Sequence, residues 1–148
     1  MSKNAGDEKS KELFKKGLEK QGYTVTDCDT KIERGVKRPD LMAEKNGVTY
    51  YFELKQRDKF SYTFNDLMIT DDKTWLVEQY GDKAYFVFFY LDGVCYVLNA
   101  HTPPDEIRKV SAPTTTRFYD NRYVSKTYLI WSVDKAQKFV FKPELIYT

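Results

Sequence analysis

The sequence predicts an α/β domain in which a helix, three strands, a second helix and another strand succeed one another over the first ninety residues, with a strand-rich extension behind them. Three observations carry this expectation. An amphipathic run at helical spacing opens the chain, an Asn46-Gly47 turn separates two extended runs, and an acid-led helical segment precedes the wholly apolar run Ala84 to Leu91. The 148 residues suit one domain with a substantial core. Residues 1–148 are therefore read as one unit, with a core over about 7–91 and an extension over about 92–148.

From Asp7 to Gln21, residues Ser10, Leu13, Phe14, Gly17, Leu18 and Gln21 fall on one helical face, lysines dominate the other, and Gly22 supplies the stop. Tyr23 to Cys28 alternates with period two. A polar loop over residues 29–37 then leads into Asp40 to Lys45, and Val48 to Lys55 follows the Asn46-Gly47 turn. Both turn residues tolerate the positive φ of a type I′ hairpin, so these two strands should be antiparallel and adjacent. After an aromatic loop at Phe60 to Phe64, the spacing predicts a helix over 70–80 with Thr70 as cap and Gly81 as stop. Ala84 to Leu91 reads as a buried central strand, and Asp92-Gly93 turns it into Val94 to Leu98. Beyond Pro103-Pro104 the sequence suggests a short helix over 105–110, then strands over about 123–132 and 138–142.

Composition excludes several chemistries. One histidine, His101, and two cysteines, Cys28 and Cys95, cannot supply four Cys/His ligands to zinc. A Ser-His-Asp triad would have to use a histidine within a turn-like Asn-Ala-His-Thr-Pro-Pro run. Catalysis, if present, should rest on carboxylates and lysine. No run approaches the roughly 20 apolar residues of a membrane span, and the polar N-terminus lacks a signal-peptide pattern, so the chain is expected to be cytoplasmic with free thiols. The net charge of +2 is not diagnostic, but the excess of cations lies in the first sixty residues.

A two-residue hairpin loop fixes the register, pairing Lys45 with Val48 and, counting outward, Asp40 with Glu53. Facing side chains of an antiparallel pair project to the same side, with Cβ atoms roughly 4.5–5.5 Å apart. Lys55 falls on that side too, whereas Leu41, Ala43, Tyr50, Phe52 and Leu54 form the opposite, apolar face. Two facing carboxylates repel unless a cation lies between them. A hard ion such as Mg²⁺ suits two acids and no histidine, and it promotes water attack on a phosphodiester. An ordinary ribbon with surface charges is the alternative.

Pro39-Asp40, followed after twelve residues by Glu53-Leu54-Lys55, resembles the PD-(D/E)XK nuclease signature, and the α-β-β-β-α-β order is similar to that superfamily's restriction-endonuclease-like core. The hairpin and loop lengths most resemble phage and bacterial branches that include Holliday-junction resolvases. The resemblance implies a mixed central sheet flanked by helices, and a Mg²⁺ site (with Mn²⁺ able to substitute) at Asp40, Glu53 and the Leu54 carbonyl. It also implies that Lys55 serves the hydrolytic water, and that the chain is an endonuclease on DNA, including branched or recombination intermediates. Family members commonly add an acid from the first helix; here Glu8, Glu12 and Glu19 lie opposite its apolar face, leaving Asp7 nearest, as a metal ligand or a helix-terminal charge.

On this reading Lys37, Arg38, Arg57 and Lys59 would contact phosphates, and Lys73 and Gln79 approach the site or stay solvated. Phe60, Tyr62 and Phe64 either pack beneath their loop or stack on an opened base. A resolvase would require a homodimer for paired cuts. The residues do not distinguish DNA from RNA. The missing first-helix glutamate motivates a second reading, an inactive nucleic-acid-binding module with a nuclease fold, and a protein-interaction domain is a third.

Overall fold

The computed structural model describes residues 5–28, 32–33, 36–113 and 123–141. Helix α1 (Ala5–Lys20) leads into β1 (Thr24–Asp27), the short β2 (Ile32–Glu33) and β3 (Val36–Lys37), and the hairpin β4 (Leu41–Lys45) and β5 (Val48–Gln56). Then come β6 (Asp66–Thr70), α2 (Trp75–Tyr80), β7 (Ala84–Phe89), β8 (Val94–Asn99), β9 (Glu106–Pro113), β10 (Tyr123–Ser132) and β11 (Gln137–Val140).

Among the described residues the main sheet has the order β1-β4-β5-β7-β8-β11. Only β5 and β7 run parallel within it, the connection between them passing through β6 and α2, so the sheet is mixed as expected. The turn joining β4 to β5 has Asn46 at φ 54° and Gly47 at φ 78°, both left-handed, which matches the right-handed twist of the flanking strands. That turn sets the register Lys45 to Val48 through Leu41 to Phe52. Phe14 of α1 packs on Leu41, Ala43 and Phe52 with Val87, Phe89 and Cys95 behind them. The opposite face is covered by α2 and a second sheet of order β6-β10-β9, where Leu67, Ile69, Leu76 and Trp131 meet Phe86, Phe88 and Leu98 of β7 and β8. β7 is thus apolar on both faces because both are covered.

Four local expectations change. Residues 105–110 are not helical: β9 pairs with β10 from Glu106–Ile130 to Pro113–Tyr123, and this ladder outweighs the helix-like acidic start after Pro104. The segment 66–70 is a strand, held by β10 through Thr70–Tyr128 to Asp66–Ser132. Consequently the second helix starts late. Thr70 ends β6 with its hydroxyl turned to Asp72, a 3-10 turn covers Asp71–Lys73, and α2 begins at Trp75 and stops at Gly81, φ 62°. Finally, the outer face of α1 is not uniformly solvated, because Lys11 is buried against Asp27.

Candidate active site

β4 begins one residue after Asp40, and extending its register by one step sets Asp40 across from Glu53. On β5, Tyr50, Phe52 and Leu54 pack toward α1, so Tyr51, Glu53 and Lys55 project to the other face. Both acids are buried, each 6% exposed. The Asp40 carboxylate is held in place: its Oδ2 accepts the Leu54 N–H at 2.8 Å, and the Asp40 carbonyl accepts the Cys28 N–H at 3.0 Å. The ladder with β5 ends at Leu41 and Pro39 has no N–H with which to continue it; beyond that point the Leu54 N–H donates to the Asp40 side chain. A strand residue presents its N–H and C=O on one edge, which turns the Leu54 carbonyl toward the Asp40 edge as well.

Lys73 approaches from the 3-10 turn before α2, its Nζ 3.4 Å from Glu53 Oε2. The segment that carries it is fastened by Leu76, which is fully buried among the aromatic residues of β7. Lys55 is an exposed residue at the rim of the same face. Its ammonium is nevertheless held below the ordinary lysine value, first by desolvation and then by repulsion from Arg57 and Lys73, while Asp72 and Glu53 act in the opposite sense. Two carboxylates and two lysines therefore converge at the C-terminal half of β5. The donors are hard oxygens, two carboxylates with a backbone carbonyl beside them, the set that suits Mg²⁺ or Mn²⁺ and is poor for a soft metal.

The remaining residues singled out from the sequence divide. Arg57 turns inward: its guanidinium donates to the Met68 carbonyl and stands 5.6 Å from the Phe88 ring centre. Arg38 is exposed just ahead of Asp40, and Lys59 Nζ lies 4.4 Å over Phe64 on the loop leaving β5. Lys37 belongs to β3 and Asp7 to α1, but their side chains lie outside the described residues. Gln79 is exposed and donates to the Tyr80 hydroxyl at 3.0 Å. Helix α1 brings the hydroxyl of Ser10 to Gln56 at the end of β5. Helical spacing puts Ser10 on the inward face, but its partner Gln56, three residues beyond Glu53, belongs to no motif.

No family model matches the sequence, and no curated protein matches it. Among solved structures, the chain is similar to Hjc of Archaeoglobus fulgidus, a Holliday junction resolvase from an archaeal hyperthermophile. The TM-score is 0.54 over 98% of each chain, at 13% identity. The likeness shows a shared fold, the mixed α/β, restriction-endonuclease-like architecture implied by the motif.

Proposed function

We propose that the chain is a divalent-metal-dependent endonuclease that hydrolyses DNA phosphodiester bonds, with Asp40, Glu53 and Lys55 as its catalytic residues. The observation that carries this reading is the burial of two carboxylates side by side on one ribbon, with lysines at their rim. Buried like charges are costly unless a cation joins them. Asp40, Glu53 and the Leu54 carbonyl would hold Mg²⁺ or Mn²⁺. Such an ion neutralises charge developing on the phosphate and lowers the pKa of a bound water.

Each residue then has a definable task. The Leu54 N–H fixes the orientation of Asp40, and the hairpin register sets its spacing from Glu53. Lys55, with its depressed pKa, can orient the attacking water or stabilise the anionic phosphate as the bond breaks. Lys73 provides a second cation beside Glu53. Arg38 and Lys59, ahead of β4 and beyond β5 and so at the same end of the hairpin as the acids, can meet phosphates beside the cut, and Lys37 is assigned with them. The resolvase fold favours branched DNA as substrate, and paired cuts in a junction would require a homodimer.

The test is cleavage of plasmid and four-way-junction DNA with Mg²⁺, Mn²⁺ or a chelator. Cleavage should appear only with the metals, and Asp40→Asn, Glu53→Gln and Lys55→Ala should each lose at least about a hundredfold in rate while keeping the wild-type melting temperature. Undiminished cleavage by these variants would overturn the assignment. Retained DNA affinity with neither metal uptake nor cleavage would instead identify a binding module on a nuclease fold.

A further inference from the structure

Three aromatic side chains beside the candidate site stand in solvent. Phe60, Tyr62 and Phe64 are 45, 78 and 51% exposed, so they do not pack beneath their loop. Phe60 and Tyr62 lie face to face, with ring centres 5.5 Å apart and planes 3° apart. Their loop is fastened at several points. The Arg57 N–H donates to the Phe89 carbonyl at 2.7 Å and the Leu91 N–H to the Lys59 carbonyl at 2.9 Å. At the tip, Asp92 accepts both the N–H and the hydroxyl of Ser61, at 3.2 and 2.6 Å. A 3-10 turn at Ser61–Thr63 thus holds the rings outward on an anchored segment.

The surroundings indicate what these rings meet. The loop leaves the strand that carries Glu53 and Lys55, and Lys59 lies against Phe64. Flat π surfaces bordered by cations match a nucleic-acid strand, whose bases stack and whose phosphates are anionic. The five chain steps from Lys55 to Phe60 reach at most about 18 Å, roughly five base-pair steps along a duplex axis. A continuous duplex keeps its base faces inside the stack and shows only groove edges and phosphates. An unpaired base offers both faces.

We infer that Phe60, Tyr62 and Phe64 form a stacking platform for unpaired nucleobases, and hence that the substrate class is DNA with unpaired bases next to duplex rather than continuous duplex. The substrate assignment rests on the proposed nuclease site; the platform itself is a binding property that can be measured without cleavage.

The full chain, kept in chelator, is titrated by fluorescence anisotropy into a blunt duplex and into the same duplex with an unpaired thymidine tail. Wild type should prefer the tailed DNA. Phe60→Leu and Tyr62→Leu, exposed substitutions that should keep the wild-type melting temperature, should each weaken tailed-DNA binding between about five- and a hundredfold. Blunt-duplex affinity should change less than about twofold. Equal wild-type affinity for both DNAs, or variants that keep the preference, would overturn the platform. So would light scattering in which the variants abolish self-association and leave DNA preference intact, which would make the patch an interface between copies. Mg²⁺-dependent cleavage of the tailed DNA separates the two proposals: cleavage without tail preference removes the platform alone, and tail preference with the tailed DNA left uncut removes the nuclease reading alone.

Discussion

The ammonium of Lys73, a partly exposed side chain, stands 3.4 Å from the buried carboxylate of Glu53. If Glu53 holds a metal, that lysine competes with it electrostatically until a phosphate arrives to attract the ammonium away. Lys73→Met should therefore bind Mn²⁺ severalfold more tightly in calorimetry without DNA, while cleaving DNA more slowly. Unchanged or weaker metal uptake would show that the Lys73 contact is structural only. The two cysteines give an independent residue-level check on the core. Both are free and buried, and burial raises both thiols above the ordinary cysteine value. Labelling by a thiol reagent should be slow in the native protein and should quicken on addition of denaturant. Fast native labelling of Cys95 would contradict its burial between α1 and the sheet.

At the scale of elements, the hairpin is the part that sequence alone dictates most firmly. Asn46-Gly47 selects one turn, that turn selects one register, and a one-residue slip would move Glu53 to the apolar face. Gly47 has φ 78° and open space around its Cβ position, so Gly47→Ala costs only the left-handed backbone strain, about 1–2 kcal/mol in denaturant unfolding. No loss of stability would mean that the turn is not the left-handed one. Leu76 acts differently, by anchoring the segment that delivers Lys73. Leu76→Ala should cost about 2–5 kcal/mol as a core truncation. What sequence did not reveal lies where a distant partner decides the conformation. The alternation of β6 is only five residues long and follows an aromatic loop, and its partner β10 is some sixty residues away. β9 begins like a helix, with acids after two prolines, and becomes a strand only through its ladder with β10. For Lys73 the sequence leaves two readings, approach to the site or solvation, and the contact with Glu53 depends on β6 ending at Thr70 and a 3-10 turn replacing the first turn of the expected helix.

For the whole molecule, two apolar layers clamp the main sheet, one under α1 and one under α2 and the β6-β10-β9 sheet. The buried acids lie on the face of β4 and β5 away from α1, where the turn before α2 brings Lys73 to Glu53. With a formal charge of only +2, DNA affinity must come from local cations rather than from overall charge. The logarithm of affinity should fall linearly with that of salt concentration, and Lys59→Ala should shallow the slope by about one unit, the signature of one lost phosphate contact. Arg57→Ala should instead lower stability, because its guanidinium is spent on the Met68 carbonyl and Phe88. The most direct test of a metal held by the ribbon is anomalous scattering from a crystal grown with Mn²⁺. A peak about 2.1 Å from a carboxylate oxygen of both Asp40 and Glu53 is expected. Ordered carboxylates with no manganese between them, and Glu53 still paired with Lys73, would contradict it.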